Sequence, residues 1–172
     1  MSRQDEESGR SRAGPEPIYT SGLMLLLLRL GKRWFAMDVR AIEEVALKGP
    51  VTRVPMAPSH ILGVIALRGR LIPVVGLENM IGGAGMLPSE DSATLPRLLI
   101  VREGGYEMAV VVEEIHGMIE HGEAVGERPE DTPEFVREEF EWRGHPVWLL
   151  DAHTLVAAVA RLAGIHWEDV VQ

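Results

Sequence analysis

The residues best suited to chemistry are six histidines and the adjacent glutamates Glu43-Glu44 and Glu113-Glu114, and their spacing argues against a catalytic or metal site. The histidines are His60, His116, His121, His145, His153 and His166. No two of them carry the H-E-x-x-H spacing that puts metal ligands on one helix face. His116 and His121 flank Glu120, but they fall in a predicted strand and its turn, which aims their rings differently. His153 is near Asp151, yet a triad needs a placed nucleophile. Glu43-Glu44 and Glu113-Glu114 are neighbours in sequence. On a strand such neighbours face opposite sides, so neither pair works jointly as acid and base. Gly82-Gly83-Ala84-Gly85 is not followed by Gly-Lys-Ser/Thr and opens no helix, so it is a poor phosphate cradle. The absence of cysteine removes disulfides, thiolate catalysis and Cys-based zinc sites. No enzyme, metal or cofactor is expected from these residues.

The formal net charge is -9. Nucleic acid and anionic bilayers draw on basic surfaces, so this balance argues against both. The longest apolar run, Leu23 to Leu28, ends at Arg29, far short of the ~20 residues needed to span a bilayer. Before it, Arg3, Arg10 and Arg12 mix with Asp5, Glu6 and Glu7, and no small-residue cleavage site follows. The expectation is a soluble, cytoplasmic chain without signal peptide or membrane insertion.

Residues 1 to 20 are rich in Ser, Gly, Arg, Glu and Pro. They have little to bury against their ordering entropy and should be a disordered tail. Strand signals then follow in pairs. Leu25 to Leu30 turns at Gly31-Lys32 into Trp34 to Val39. Val39, Ile42 and Val45 fit either a helical turn or an irregular strand. Val54-Pro55-Met56-Ala57-Pro58 is a connector, because each proline removes a ladder donor. Ile61 to Leu67 lacks polar alternation and reads as a strand buried on both faces. Arg68-Gly69 turns it into Arg70 to Val75, where Pro73 marks an edge or bulge. Residues 82 to 94 form a loop. Leu98 to Val101 pairs through Glu103-Gly104-Gly105 with Tyr106 to Val112, and Glu127 to Pro133 is a polar loop. Glu139 to Trp142 and His145 to Leu150 flank Arg143-Gly144. Asp151 is an N-cap for a helix over 152–163, whose apolar face is Leu155, Val156, Val159, Ala160 and Ala163. Gly164 is a plausible stop, and residues 165–172 are a tail.

The two halves echo each other. LLRLGKRWFAMDV, IEEV and LRGRLIPVVGL precede LLIVREGGYEMAVVV, EEI and WRGHPVWLLD. Each half holds a hairpin, a Glu-Glu-aliphatic step, an Arg-Gly turn and a Pro-Val strand. The expected fold is mainly β: two small barrels of about five strands and a groove between them, where ligands favour binding. The first barrel would take residues 36–97 with strands exchanged from the ends, and the second residues 98–150.

The run Val54-Pro55, Pro58, Ile61-Leu62-Gly63-Val64-Ile65, Leu67-Arg68-Gly69, Ile72-Pro73-Val74-Val75, Leu77 resembles the signature of CheW-like domains. LGKRWFAMDVRAIEEV and GYEMAVVVEEIHGMIE extend the resemblance, which covers about Leu23 to Gly164. It implies two five-stranded SH3-like barrels with a C-terminal helix, in a non-enzymatic chemotaxis-type adaptor. It also implies two partners: the cytoplasmic tip of a methyl-accepting chemoreceptor and the regulatory domain of a CheA-type histidine kinase. By that resemblance Arg68 contacts receptor or kinase, as do Glu44 and Val45, with Val39 and Ile42 on the same face. Val112 and Ile115 match from the second half and would form the other wall. Gly63 belongs to the same motif, where glycine permits close backbone approach. Ala66 and Gly76 depart from the family's usual Asn and Asp, which leaves the output open between flagellar chemotaxis and a pilus-driven pathway. A reading from another class is a small ligand-binding barrel or hydrolase using the inter-barrel groove.

Overall fold

A computed structural model describes residues 22–82, 96–121 and 127–164. The expected tails over 1–20 and 165–172, and most of the loop over 82–94, lie outside the described residues. Ten strands and two helices follow in order. They are β1 (Leu23–Leu30), β2 (Arg33–Asp38), β3 (Ile42–Leu47), β4 (Ile61–Leu67), β5 (Arg70–Val75), α1 (Leu77–Met80), β6 (Arg97–Glu103), β7 (Tyr106–Val112), β8 (Glu114–His121), β9 (Val136–Trp142), β10 (His145–Leu150) and α2 (Ala152–Leu162). Val39–Ala41 is a single 3-10 turn capped by the Asp38 carboxylate, which accepts from Arg40 N. Both open alternatives for this stretch are thus partly realised: a turn, then the strand β3, bulged between Ile42 and Glu44.

The strands form two five-stranded sheets, ordered β8-β1-β2-β10-β9 and β3-β6-β7-β5-β4. Each half runs hairpin, single strand, hairpin, helix. Advancing every strand by five places turns one sheet order into the other. The repeat is therefore real, but its halves interlock. The hairpin β1–β2 sits between β8 and β10, and β6–β7 sits between β3 and β5. Residues 97–112 accordingly belong to the sheet of β3–β5, and the boundary expected near residue 97 does not separate the sheets. Hairpin pairing is local and readable from turn residues. Which hairpin docks where depends on long-range pairing that local patterns do not carry.

Neither ladder is continuous around its sheet. The edges instead meet through backbone links at corresponding places. Thr52 and Val64 exchange backbone hydrogen bonds of 2.9 and 2.8 Å beside the edge strand β4. Glu139 N donates to Glu127 O at 3.0 Å beside the edge strand β9. These backbone links help close two SH3-like units. Ile65, Ile72, Val74, Leu98, Ile100, Ala109 and Val111 fill one unit. Leu25, Leu27, Ala36, Val147 and Leu149 fill the other. The largest cluster lies between them and includes Phe35, Met37, Leu99, Val110 and Leu155 of α2.

β4 is not buried on both faces. It is an edge strand, and Ala66 and the facing Leu71 are exposed. Pro73 sits where β5 is paired with β4 but not yet with β7, whose ladder begins at Val74, so its missing N–H breaks no bond there. α2 is capped as expected: Asp151 Oδ1 accepts from Thr154 N at 2.8 Å. Buried His60 bonds Val159 O at 3.2 Å, which ties the connector before β4 to α2.

Candidate docking surface

Arg68 and Glu44 stand on opposite edges of one sheet, in the β4–β5 turn and in β3. The sheet curls enough to bring them together: Arg68 Nη2 donates to Glu44 Oε2 at 2.7 Å. Arg68 has φ 50°, the left-handed conformation that asparagine or glycine usually takes in a tight hairpin. Its side chain remains 70% exposed, against 20% for Glu44. The other Glu44 oxygen, Oε1, is buried and has no hydrogen-bond partner among the described residues. An exposed guanidinium fork can engage a partner's carboxylate or backbone carbonyl.

A wider ion network sits behind this pair. Glu43 reaches Arg70 and Arg102, each at 3.2 Å, and Glu107 bridges the same two arginines. Arg102 holds the Glu107 carboxyl below its ordinary pKa. Glu43 and Glu44 therefore engage different cations, as their opposed directions require.

The groove expected from the sequence would run where β1 and β8 meet the 3-10 turn and β3 at the rim of the central core. Leu25 pairs with Asp38, so the start of β1 adjoins the turn that carries Val39. Leu26, Ile42 and Ile115 pack half-buried against the central core. Val45 stands in register with buried Leu99 and remains 41% exposed. Val39 is half-buried. Strand alternation adds residues that the sequence did not single out. Leu26 pairs with Met118 and Met24 with Glu120, which puts Met24, Leu26 and Met118 on one face. Met24 is 42%, Met118 65% and Leu47 65% exposed. The missed signal was the two-residue period of β1 and β8, legible only once the covered face is known.

Two expected contact residues have no surface to offer. Val112 is fully buried in the central core. A run of Val and Ala shows no alternation from which its face could be read. Gly63 is buried, and a Cβ there would meet Thr52 O at 2.4 Å. Its role is to let the Thr52–Val64 link form.

A CheW-like domain model matches residues 24–160. The chain belongs to the CheW-like domain family. It is 36% identical over 65 residues to the chemotaxis protein CheW of Rhizobium meliloti, covering 38% of this chain and 42% of that one. It is 32% identical over 95 residues to the CheW of Thermotoga maritima, covering 55% of this chain and 60% of that one. The matched segments thus span about half the length of these relatives. The crystal structure of scaffolding protein TtCheW from Thermoanaerobacter tengcongensis superposes with TM-score 0.68 at 22% identity, over 86% of this chain and 93% of that one. That likeness shows the fold.

Two family positions depart from the usual residues. Ala66 lies exposed on the outer face of β4. Gly76 is the N-cap of α1 and makes no side-chain cap. Asp151 holds the corresponding place before α2, where the carboxylate does cap.

The CheW-like unit built on β1 has its own cluster at the end bearing the β9–β10 turn. Trp34 lies 4.3 Å from His116, 5.2 Å from Trp142 and 5.3 Å from His145 between ring centroids. His116 Nε2 also lies 2.9 Å from Glu114, and Arg29 bonds the same carboxylate and lowers its pKa. His121 bonds buried Glu138 at 2.7 Å. These partners are aromatic rings and carboxylates already engaged. Among the described residues no three His, Asp or Glu side chains are placed to hold a metal, and no helix is long and apolar enough to cross a membrane.

Proposed function

We propose that this chain is a non-catalytic adaptor that couples methyl-accepting chemoreceptors to a CheA-type histidine kinase. The observation that carries the reading is the set of exposed apolar side chains Met24, Val45, Leu47 and Met118 around the rim of the central core. Val39, Ile42, Val45 and Leu47 would form one wall of a groove, and Met24, Leu26, Ile115 and Met118 the other. An amphipathic helical receptor tip buries its apolar stripe in such a groove. The exposed Arg68 guanidinium would supply polar recognition, for the kinase regulatory domain or for the receptor tip. The adaptor would work in the cytoplasm, associated with membranes through the receptors it binds.

The family supports this reading, and so do ionisable groups committed to structural partners. A barrel that binds a small ligand, or a hydrolase, would need convergent polar groups free to act, whereas Met24, Val45, Leu47 and Met118 present apolar surface. The test is reconstitution of this chain with a CheA-type kinase and a receptor cytoplasmic fragment. Receptor-dependent kinase activity should appear only when the chain is present. Equal kinase activity with and without it contradicts the proposal, as does turnover of a substrate by the purified chain.

A further inference from the structure

Two of the chain's eight methionines stand on one exposed apolar face of the β1–β8 ladder. Met24 and Met118 are 42% and 65% exposed. They lie diagonally across the β1–β8 ladder on the face they share with Leu26. Met37 and Met108 are buried, whereas Met56 in the connector before β4 is fully exposed. The chain has no cysteine to consume an oxidant first. Thioether sulfur is nucleophilic and adapts well to helical partners, and its oxidation makes a flexible apolar side chain polar.

We propose that Met24 and Met118 form a reversible oxidation site through which hydroperoxides control partner docking. The inference rests on the docking reading of the groove. A sulfur lone pair attacks one oxygen of the peroxide. An S–O bond forms, the O–O bond breaks, and the departing hydroxide takes the transferred oxygen's proton and leaves as water. Sulfur loses two electrons and the peroxide gains them. The resulting sulfoxides place strong acceptors where the partner offers only an apolar stripe. Burying them unpaired opposes docking. Reduction by methionine sulfoxide reductases restores the apolar wall.

The test uses the full chain, hydrogen peroxide and a receptor cytoplasmic fragment. Peptide mass mapping locates the added oxygens, and affinity is measured before and after treatment. The untreated chain should bind. Treatment should oxidise Met24, Met118 and Met56, weaken binding at least tenfold, and be reversed by the reductases. The ratio of affinities before and after treatment should fall to near one in the double variant M24L/M118L, whatever its own starting affinity. It should stay at tenfold or more in M56L, whose sulfur lies outside the groove. Untreated chain that binds, with oxidised chain binding equally, overturns this inference alone. So does peroxide sensitivity that persists in M24L/M118L. Untreated chain that does not bind overturns the docking reading and this inference together.

Discussion

In the unit built on β3, the Arg-Gly turn projects Arg68 across the sheet onto Glu44, and a network of Arg70, Arg102, Glu43 and Glu107 gathers behind it. In the unit built on β1, the corresponding Arg143 lies 4.8 Å over the Trp142 ring, and the neighbours are Trp34, His116 and His145. Both arginines have φ 50°. The backbone device is identical, yet one end is ionic and the other aromatic. The glutamate pairs diverge in the same way. Glu43 and Glu44 share three arginines, Arg68, Arg70 and Arg102, whereas in the second pair Glu113 accepts from Gly31 N at 3.0 Å and Glu114 holds Arg29 beside His116. In the second half the pair fastens the exchanged β1–β2 hairpin to the β7–β8 corner. In the first half it ties β3 to the β4–β5 hairpin and to β6. Duplication preserved the strand plan and left the side chains at the ends free to specialise.

Interlocking has the largest measurable consequence. Trp34, Trp142 and Trp148 all belong to the unit built on β1, so among the described residues tryptophan fluorescence reads that unit alone. Far-ultraviolet circular dichroism reads both. Exchanged hairpins predict coincident denaturant transitions by the two probes. Leu155→Ala should lower stability by about 2–5 kcal/mol, because Leu155 is fully buried in the shared core, and should shift both probes together. Separate transitions would break the picture of one cooperative body.

The closing links come next. Gly63→Ala forces a Cβ onto Thr52 O and should cost about 1–3 kcal/mol, seen as a lower denaturation midpoint. A neutral outcome would mean the Thr52–Val64 link is dispensable. The helix caps sharpen the comparison further. Asp151→Ala should cost about 0.5–2 kcal/mol and Asp151→Gly only a few tenths. Equal losses would leave the tolerance of Gly76 at the matching cap unexplained.

The arginines should differ in binding rather than in stability. An exposed ion pair contributes about 0–1 kcal/mol, so Arg68→Ala and Arg143→Ala should melt near the parent. Only Arg68→Ala should weaken kinase or receptor binding, measured by calorimetry. The smallest effect is acid sensitivity of the ionic end. Arg102 lowers the Glu107 pKa in the folded chain, so the unfolded chain binds more protons in the carboxylate range. The contribution is therefore present above the ordinary glutamate pKa and fades as pH falls through and below it. Melting curves between neutral and acid pH should converge for parent and Arg102→Ala as Glu107 protonates.

Much of this was legible in local sequence. The turns at Gly31, Arg68-Gly69, Gly104-Gly105 and Arg143-Gly144, and the Asp151 cap, each announce an element that the structure contains. Exchange of strands from the chain ends was expected, but which hairpins exchange, β1–β2 and β6–β7, was not legible, because register across distant strands is set by tertiary packing. The groove was half legible. Val39, Ile42 and Val45 were marked by family resemblance and do reach the surface in part. Met24, Leu26 and Met118 were missed, and Val112 was misplaced. In each case the side facing the core is decided by a partner strand that the local pattern does not name.

The central claim is that the aliphatic groove is a docking surface. The most direct measurement is the affinity of a receptor cytoplasmic fragment for the parent and for Val45→Asp, at matched thermal stability. Val45 is already exposed, so the substitution should leave the fold intact while placing a charge against the partner's apolar stripe. Binding should weaken at least tenfold with an unchanged melting temperature. Unchanged affinity in a folded Val45→Asp chain would contradict the account.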